Sequence, residues 1–138
     1  MDKKIVEFIQ EHYLLTLATS NNNSPYCCNV YYVYDKKQNS LIFSSEKTTK
    51  HVQDFLTNDN VAGAISKETK LVEDIKGVQI LGVISELVGS ELVKAKKMYI
   101  KAFPYSKKMN LNLWKMKICF IKMTNNQLGF GTKLLWKA

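Results

Sequence analysis

The sequence predicts an α+β domain whose strands are mainly antiparallel and close into a barrel. Two observations carry that reading. About seven β-type runs are joined by short polar turns, and three amphipathic helix patterns are inserted among them. A sheet of that size removes its exposed edges most simply by closing on itself. At 138 residues the length fits one domain, and no linker, repeat or low-complexity tract divides residues 1–138.

Lys3 to Glu11 predicts the first helix, because Ile5, Phe8 and Ile9 fall at i, i+3, i+4. Tyr13 to Thr19 is a first strand. Asn21 to Pro25 forms a turn by composition, and Tyr26 to Tyr34 is a tyrosine- and valine-rich second strand. The polar loop Asp35 to Ser40 leads to a third strand, Leu41 to Ser45, which completes a meander. Thr48 to Leu56 reads as a second helix, with Val52, Phe55 and Leu56 on one face and Thr48 or Thr49 as N-cap. Val61 to Ser66 and Gly77 to Leu87 are the next strands. Gly82 lies inside the latter, where glycine marks a bulge or a close backbone approach. Ser90 to Phe103 is a third helix, capped by Ser90 and stopped by Pro104. Leu113 to Thr124 is a long strand in which Trp114, Met116, Ile118 and Phe120 alternate with Lys115, Lys117, Cys119 and Ile121. Leu128 to Trp136 is the last strand. Trp114 and Trp136 are expected to pack in a core or an interface.

No apolar run approaches the roughly 20 residues of a membrane span. The N-terminal Met1-Asp2-Lys3-Lys4 leads into an amphipathic segment, not an apolar signal core, so the expected location is the cytoplasm. Cys27, Cys28 and Cys119 form no metal-binding spacing, and they read as reduced thiols. His12 and His51 are the only histidines, too far apart for a helical metal motif. No metal site, nucleophile elbow or dinucleotide fingerprint is present.

The charge is lopsided. Net charge is +8 and every basic residue is lysine. The first 91 residues carry nine lysines against twelve carboxylates, whereas the rest carry eleven lysines and no carboxylate. A basic half favours anionic partners such as phosphates. The absence of arginine argues against sequence-specific reading of DNA.

The best candidate site is Ile42 to His51, IFSSEKTTKH. A strand ends in two serines, and a loop rich in hydroxyls and lysine then opens a helix. A helix N-terminus presents free N–H groups and the positive end of its dipole, which suits a phosphate. Plain helix capping with solvated lysines is the competing reading.

These residues resemble the pyridoxamine 5′-phosphate oxidase-like, FMN-binding split barrels. The resemblance runs through Leu15 to Tyr34, with its N-x-x-x-P-Y turn, through IFSSEKTTKHVQDFLTNDNVAGAI, and through the Q-x-x-G of Gln79 to Gly82. The I-K-G-V-Q-I-L-G-V-I run and the closing T-x-N-x-L-G-F-G-T-K-L-x-W are similar to a small, poorly characterised branch of that family. The resemblance implies a six-stranded split barrel with about three helices, forming a homodimer with FMN in clefts between the subunits. It places Phe43, Ser44 and Ser45 beside the flavin and its ribityl phosphate. It sets Thr49 and Lys50 in the place of the family's Arg-Lys phosphate clamp, Gln79 against the flavin, and Asn29 and Val30 beneath its ring. Two departures stand out. The clamp arginine is Thr49, and the C-terminal R-x-H of the true oxidase is missing. The expected function is therefore a small FMN-dependent oxidoreductase acting on an unidentified small molecule, not a vitamin B6 oxidase. The alternatives are a split barrel that holds flavin, heme or another flat anionic ligand without turnover and, less favoured, a basic nucleic-acid binder.

Overall fold

A computed structural model describes residues 1–138. Helix α1 (Lys3–Glu11) begins with the Asp2 carboxylate accepting the Lys4 N–H at 2.8 Å and buries Ile5, Phe8 and Ile9, the stripe expected from spacing. The chain continues as β1 (Leu14–Asn21), β2 (Ser24–Asp35) and β3 (Ser40–Ser44), then α2 (Lys50–Thr57), β4 (Asn60–Ser66) and β5 (Lys76–Glu86). It ends with α3 (Gly89–Ala102), β6 (Leu113–Asn125) and β7 (Lys133–Lys137). All strand pairings are antiparallel, in the order β3-β2-β1-β4-β5-β6-β7, and β3 also pairs with β6. Six strands thus close a barrel, with β7 as a seventh strand outside the ring.

One edge of β6 serves two partners in turn. Ser40–Ser44 pairs with Leu113–Lys117, and Lys133–Lys137 pairs with Phe120–Thr124. At the handover, the Ile118 N–H reaches the Asn39 carbonyl and the Ala138 N–H reaches the Cys119 carbonyl. The β5 register slips at the same level: Leu81 faces Phe120 and Gly82 faces Ile118, leaving Cys119 as the extra residue of a bulge. Here the simple alternation expected for β6 fails. Trp114, Met116 and Ile118 point into the core, but beyond the bulge the inward residues are Ile121 and Met123, and Phe120 turns outward. Gly82 is confirmed as a close approach, since a Cβ there would lie 2.6 Å from the Lys117 carbonyl oxygen and 2.9 Å from Met116.

Two further boundaries differ from expectation. Asn126–Leu128 is a 3₁₀ turn, and Gly129 and Gly131 adopt positive φ, so the last strand starts only at Lys133. Ser90 lies inside the first turn of α3, with Val88 at the N-cap and Gly89, at positive φ, as the first residue of the element. The main core fills the barrel, and α1 and α2 add Ile5, Phe8, Ile9, Val52 and Phe55 to it. Trp114 is buried within it and Trp136 packs against it. A second cluster of Ile42, Leu87, Ala95, Tyr99 and Leu113 seats α3 on the outer face of β3 and β6. No helix is long and apolar enough to cross a membrane.

Candidate functional site

The loop from Ser45 to Thr49 is held open by side chains that satisfy its carbonyl groups. The Trp114 indole Nε1 donates to the Ser45 carbonyl at 2.9 Å, the Thr49 hydroxyl donates to the Glu46 carbonyl at 2.7 Å, and the Gln53 amide donates to the Lys47 carbonyl at 2.6 Å. The Ser45 N–H bonds the Asn112 carbonyl, which ties the loop to the start of β6. Thr49 occupies the N-cap position of α2 as expected, but its hydroxyl faces backwards and caps no N–H. The first-turn N–H groups of Lys50, His51 and Val52 therefore have no protein acceptor. They form the positive end of a helix that is open to an anion.

Both lysines of the loop are paired. Lys47 lies 3.5 Å from Glu86. Lys50 sits over the Tyr26 ring and lies 3.1 Å from Asp54, one turn along the helix. Asp54 is buried and also accepts the Thr19 hydroxyl at 2.9 Å. Burial alone would raise its pKa. Hydrogen bonds from Lys50 and Thr19, with the Lys50 and His51 charges, outweigh that effect and hold the carboxyl below its ordinary value. His51 Nε2 lies 2.7 Å from Ser45 Oγ. Partial burial pushes the His51 pKa down and Asp54 offsets this only in part, so the ring is neutral at neutral pH.

A cleft of about 360 Å³ opens beside this loop. Asn29, Val30, Ser44 and Ser45 all line it, so four of the expected site residues converge. His51 joins them, and Tyr31, Tyr99 and Tyr105 supply an aromatic wall. Phe103 links that wall, with ring centroids 4.9 Å from Tyr99, 5.9 Å from Tyr31 and 6.3 Å from Tyr105. Burial, with the neighbouring Tyr105, raises the Tyr99 pKa to about 12, so its hydroxyl stays protonated.

The other expected residues lie elsewhere. Phe43 is completely buried against Phe55 in the core, so its side chain faces no ligand, and only its backbone borders the loop. Gln79 lies on the outer sheet face beside Thr16, Ala18, Ala62 and Ala64. The pairing register connects it to the cleft. Gln79 pairs with Ala64, Ala64 with Thr16, and Thr16 with Asn29, whose side-chain oxygen accepts the Thr16 hydroxyl at 2.8 Å. The row makes a flat shelf of small side chains, about 14 Å across three strand spacings, with an amide at each end. Sequence reasoning missed the tyrosine wall, because Tyr99 reads there only as part of an apolar helix face. The Ser45–His51 pair had one faint signal, their six-residue spacing across a helix start. No group of three or more His, Cys, Asp or Glu side chains converges on a metal-binding geometry.

Six antiparallel strands closed into a barrel, with helices inserted after β3 and β5, define the split-barrel class. The chain belongs to the pyridoxamine 5′-phosphate oxidase family, whose model matches residues 1–117. It is 37% identical over 132 residues to a UPF0306 protein of Yersinia pestis, covering 96% of this chain and 90% of that protein. Among solved structures, it resembles a heme binding protein from Mycobacterium smegmatis with a TM-score of 0.80 at 16% identity. That match covers 99% of this chain and 59% of the other, so the chain spans about three fifths of that protein's length. It also resembles a FAD-binding protein from Mesorhizobium loti, with a TM-score of 0.74 at 14% identity over 89% of this chain and 94% of the other.

Proposed function

We infer that the protein binds FMN and works as a small flavin-dependent oxidoreductase. The observation that carries this reading is the uncapped start of α2. Three unpartnered N–H groups open next to Ser45, at the mouth of a cleft that continues onto the Asn29–Thr16–Ala64–Gln79 shelf. These residues fit a flavin mononucleotide. The helix start and the Ser44 and Ser45 hydroxyls accept the phosphate, with Lys50 turning from Asp54 to add its charge. Small side chains at Thr16 and Ala64 leave room for a flat ring, and Gln79 and Asn29 offer amide hydrogen bonds at its edges. The bound flavin supplies the electron transfer, while the protein supplies position and electrostatics. The Tyr31, Tyr99 and Tyr105 wall gives the cleft an aromatic side that suits a flat, apolar substrate. The fold family extends to flavin- and heme-binding proteins, and the missing R-x-H argues against vitamin B6 as the substrate.

A second reading has the same aromatic cleft holding a heme or another flat anion without turnover. The likeness to the mycobacterial heme binding protein favours it, together with the neutral His51 imidazole at the cleft. We assign the protein to the cytoplasm. We also assign a homodimer, in which a second copy covers the shelf and Leu81, an exposed apolar residue on the same sheet face.

The test is the visible absorbance spectrum of the purified protein before and after incubation with excess FMN, or with heme, followed by desalting. Retained flavin bands that weaken in Lys50→Ala support the flavin reading, and oxidation of reduced nicotinamide by the loaded protein supports turnover. A retained Soret band with no flavin band selects the heme reading. Retention of neither ligand rules out both.

A further inference from the structure

A second cavity, of about 560 Å³, lies between the β2–β3 turn and α3 and shares no lining residue with the flavin cleft. Its floor is apolar: Ile42 from β3, Leu87 from the β5–α3 connection, and Ala95 and Met98 from α3. Its rim is cationic. Lys36 and Lys37 approach from the turn, and Lys94 and Lys97 from the helix.

The carboxylates here already have partners. Asp35 accepts the backbone N–H groups of Lys37 and Gln38 at 3.1 and 3.3 Å, which shapes the turn. Glu91 lies 3.3 Å from Lys115, whose ammonium also donates to the Gln38 side-chain oxygen at 3.3 Å. Lys115 is only 17% exposed and Glu91 is half-exposed, and the Lys115 bonds to Glu91 and Gln38 tie the turn to the helix. None of the four rim lysines has a carboxylate within ion-pairing distance. The lining thus carries five ammonium groups against two carboxylates, and four of those ammoniums, from two separate elements, stand outside any ion pair around an apolar floor.

We propose that this cavity binds a small organic phosphate, a phosphate ester or anhydride with an apolar body. Lysine ammonium groups hold phosphate oxygens as flexible point charges. The floor of Ile42, Leu87, Ala95 and Met98 takes the apolar part, as polar-rimmed ligand pockets commonly do. The requirement for both parts separates this site from a merely solvated lysine surface, which attracts every anion according to its charge.

The experiment is a two-dimensional amide NMR titration of the full chain with three probes: inorganic pyrophosphate, adenosine diphosphate and short-chain phosphatidic acid below its micelle concentration. The expected result is saturable shifts at Ile42, Leu87 and Ala95, with one of the organic phosphates binding roughly tenfold tighter than pyrophosphate. Preference for adenosine diphosphate identifies a nucleotide-like source, and preference for phosphatidic acid a lipid headgroup. A Lys94→Glu/Lys97→Glu double variant, at exposed positions, weakens that binding by roughly tenfold or more. Lys50→Ala, in the flavin loop, leaves it unchanged, so this proposal and the flavin reading fail separately. The proposal is overturned by the absence of saturable shifts, by pyrophosphate binding as tightly as both organic probes, by shifts confined to Ser45–His51, or by unaltered affinity in the double variant.

Discussion

Asp54, on the buried face of α2, holds the ammonium of Lys50, the first residue of that helix, at 3.1 Å. A phosphate bound at the start of α2 would compete with Asp54 for the same lysine. Asp54→Asn keeps an acceptor for the Thr19 hydroxyl but releases Lys50. The expected outcome is FMN affinity raised by no more than about fivefold, as befits a half-exposed lysine, with a lower melting temperature. Flavin fluorescence quenching and thermal melts measure the two effects. A loss of affinity matching that of Lys50→Ala would show that the pair positions the lysine instead of competing for it.

Acid should destabilise the protein in two stages. His51 has a lowered pKa in the folded state, so as pH falls below its unfolded value of 6.5 the unfolded chain takes up the proton first and stability declines. Asp54 also has a lowered folded pKa. Its contribution is intact above the unfolded value of 3.8 and is lost as pH falls from there through the folded value. Melting temperature measured against pH should therefore fall first below about 6.5. That first decline should disappear in His51→Gln, while the more acidic one remains.

Trp114→Phe keeps an aromatic ring in the core but removes the donor to the Ser45 carbonyl. The lost hydrogen bond should cost about 1 kcal/mol in denaturant unfolding. Because that bond anchors the loop, FMN affinity should fall as well. Unchanged affinity with lowered stability would show that the Asn112 carbonyl bond alone holds Ser45.

Gly82→Ala places a methyl group against the Lys117 carbonyl and Met116. The bulge opposite Cys119 leaves little slack for the backbone to retreat. A loss of about 1–3 kcal/mol is expected in urea unfolding, with the barrel retained by circular dichroism.

Ala62→Arg puts a long charged side chain on the outer face of β4, among the small residues of the shelf. Light scattering should report a dimer for the parent and a monomer for the variant, with flavin retention falling alongside. A monomeric parent would remove the dimer from the functional reading.

Much of the helical framework was legible because a helix carries its packing face in its own spacing. Ile5, Phe8 and Ile9 recur at the helical period, and they are the buried face of α1. The β1–β2–β3 meander was legible for a similar reason, since short polar turns leave antiparallel pairing as the only short path. The candidate loop was legible as a strand end followed by hydroxyls and a helix start, and Asn29, Val30, Ser44 and Ser45 share one cleft. The inversion of β6 at Cys119 was not legible, because a bulge depends on the register of the neighbouring strand. Nor was the direction of the Thr49 hydroxyl, which is decided by whether the Glu46 carbonyl or a helix N–H lies nearer.

By itself, the sequence determined the elements, the antiparallel class and the segment most suited to an anion, because periodicity, turn chemistry and helix polarity act over a few neighbouring residues. Only the tertiary structure decided that Lys50 is held by Asp54, that Tyr31, Tyr99 and Tyr105 wall one cleft, and that Gln79 and Asn29 end one shelf. Those relationships join residues distant along the chain, and barrel closure with its register sets which side chains meet.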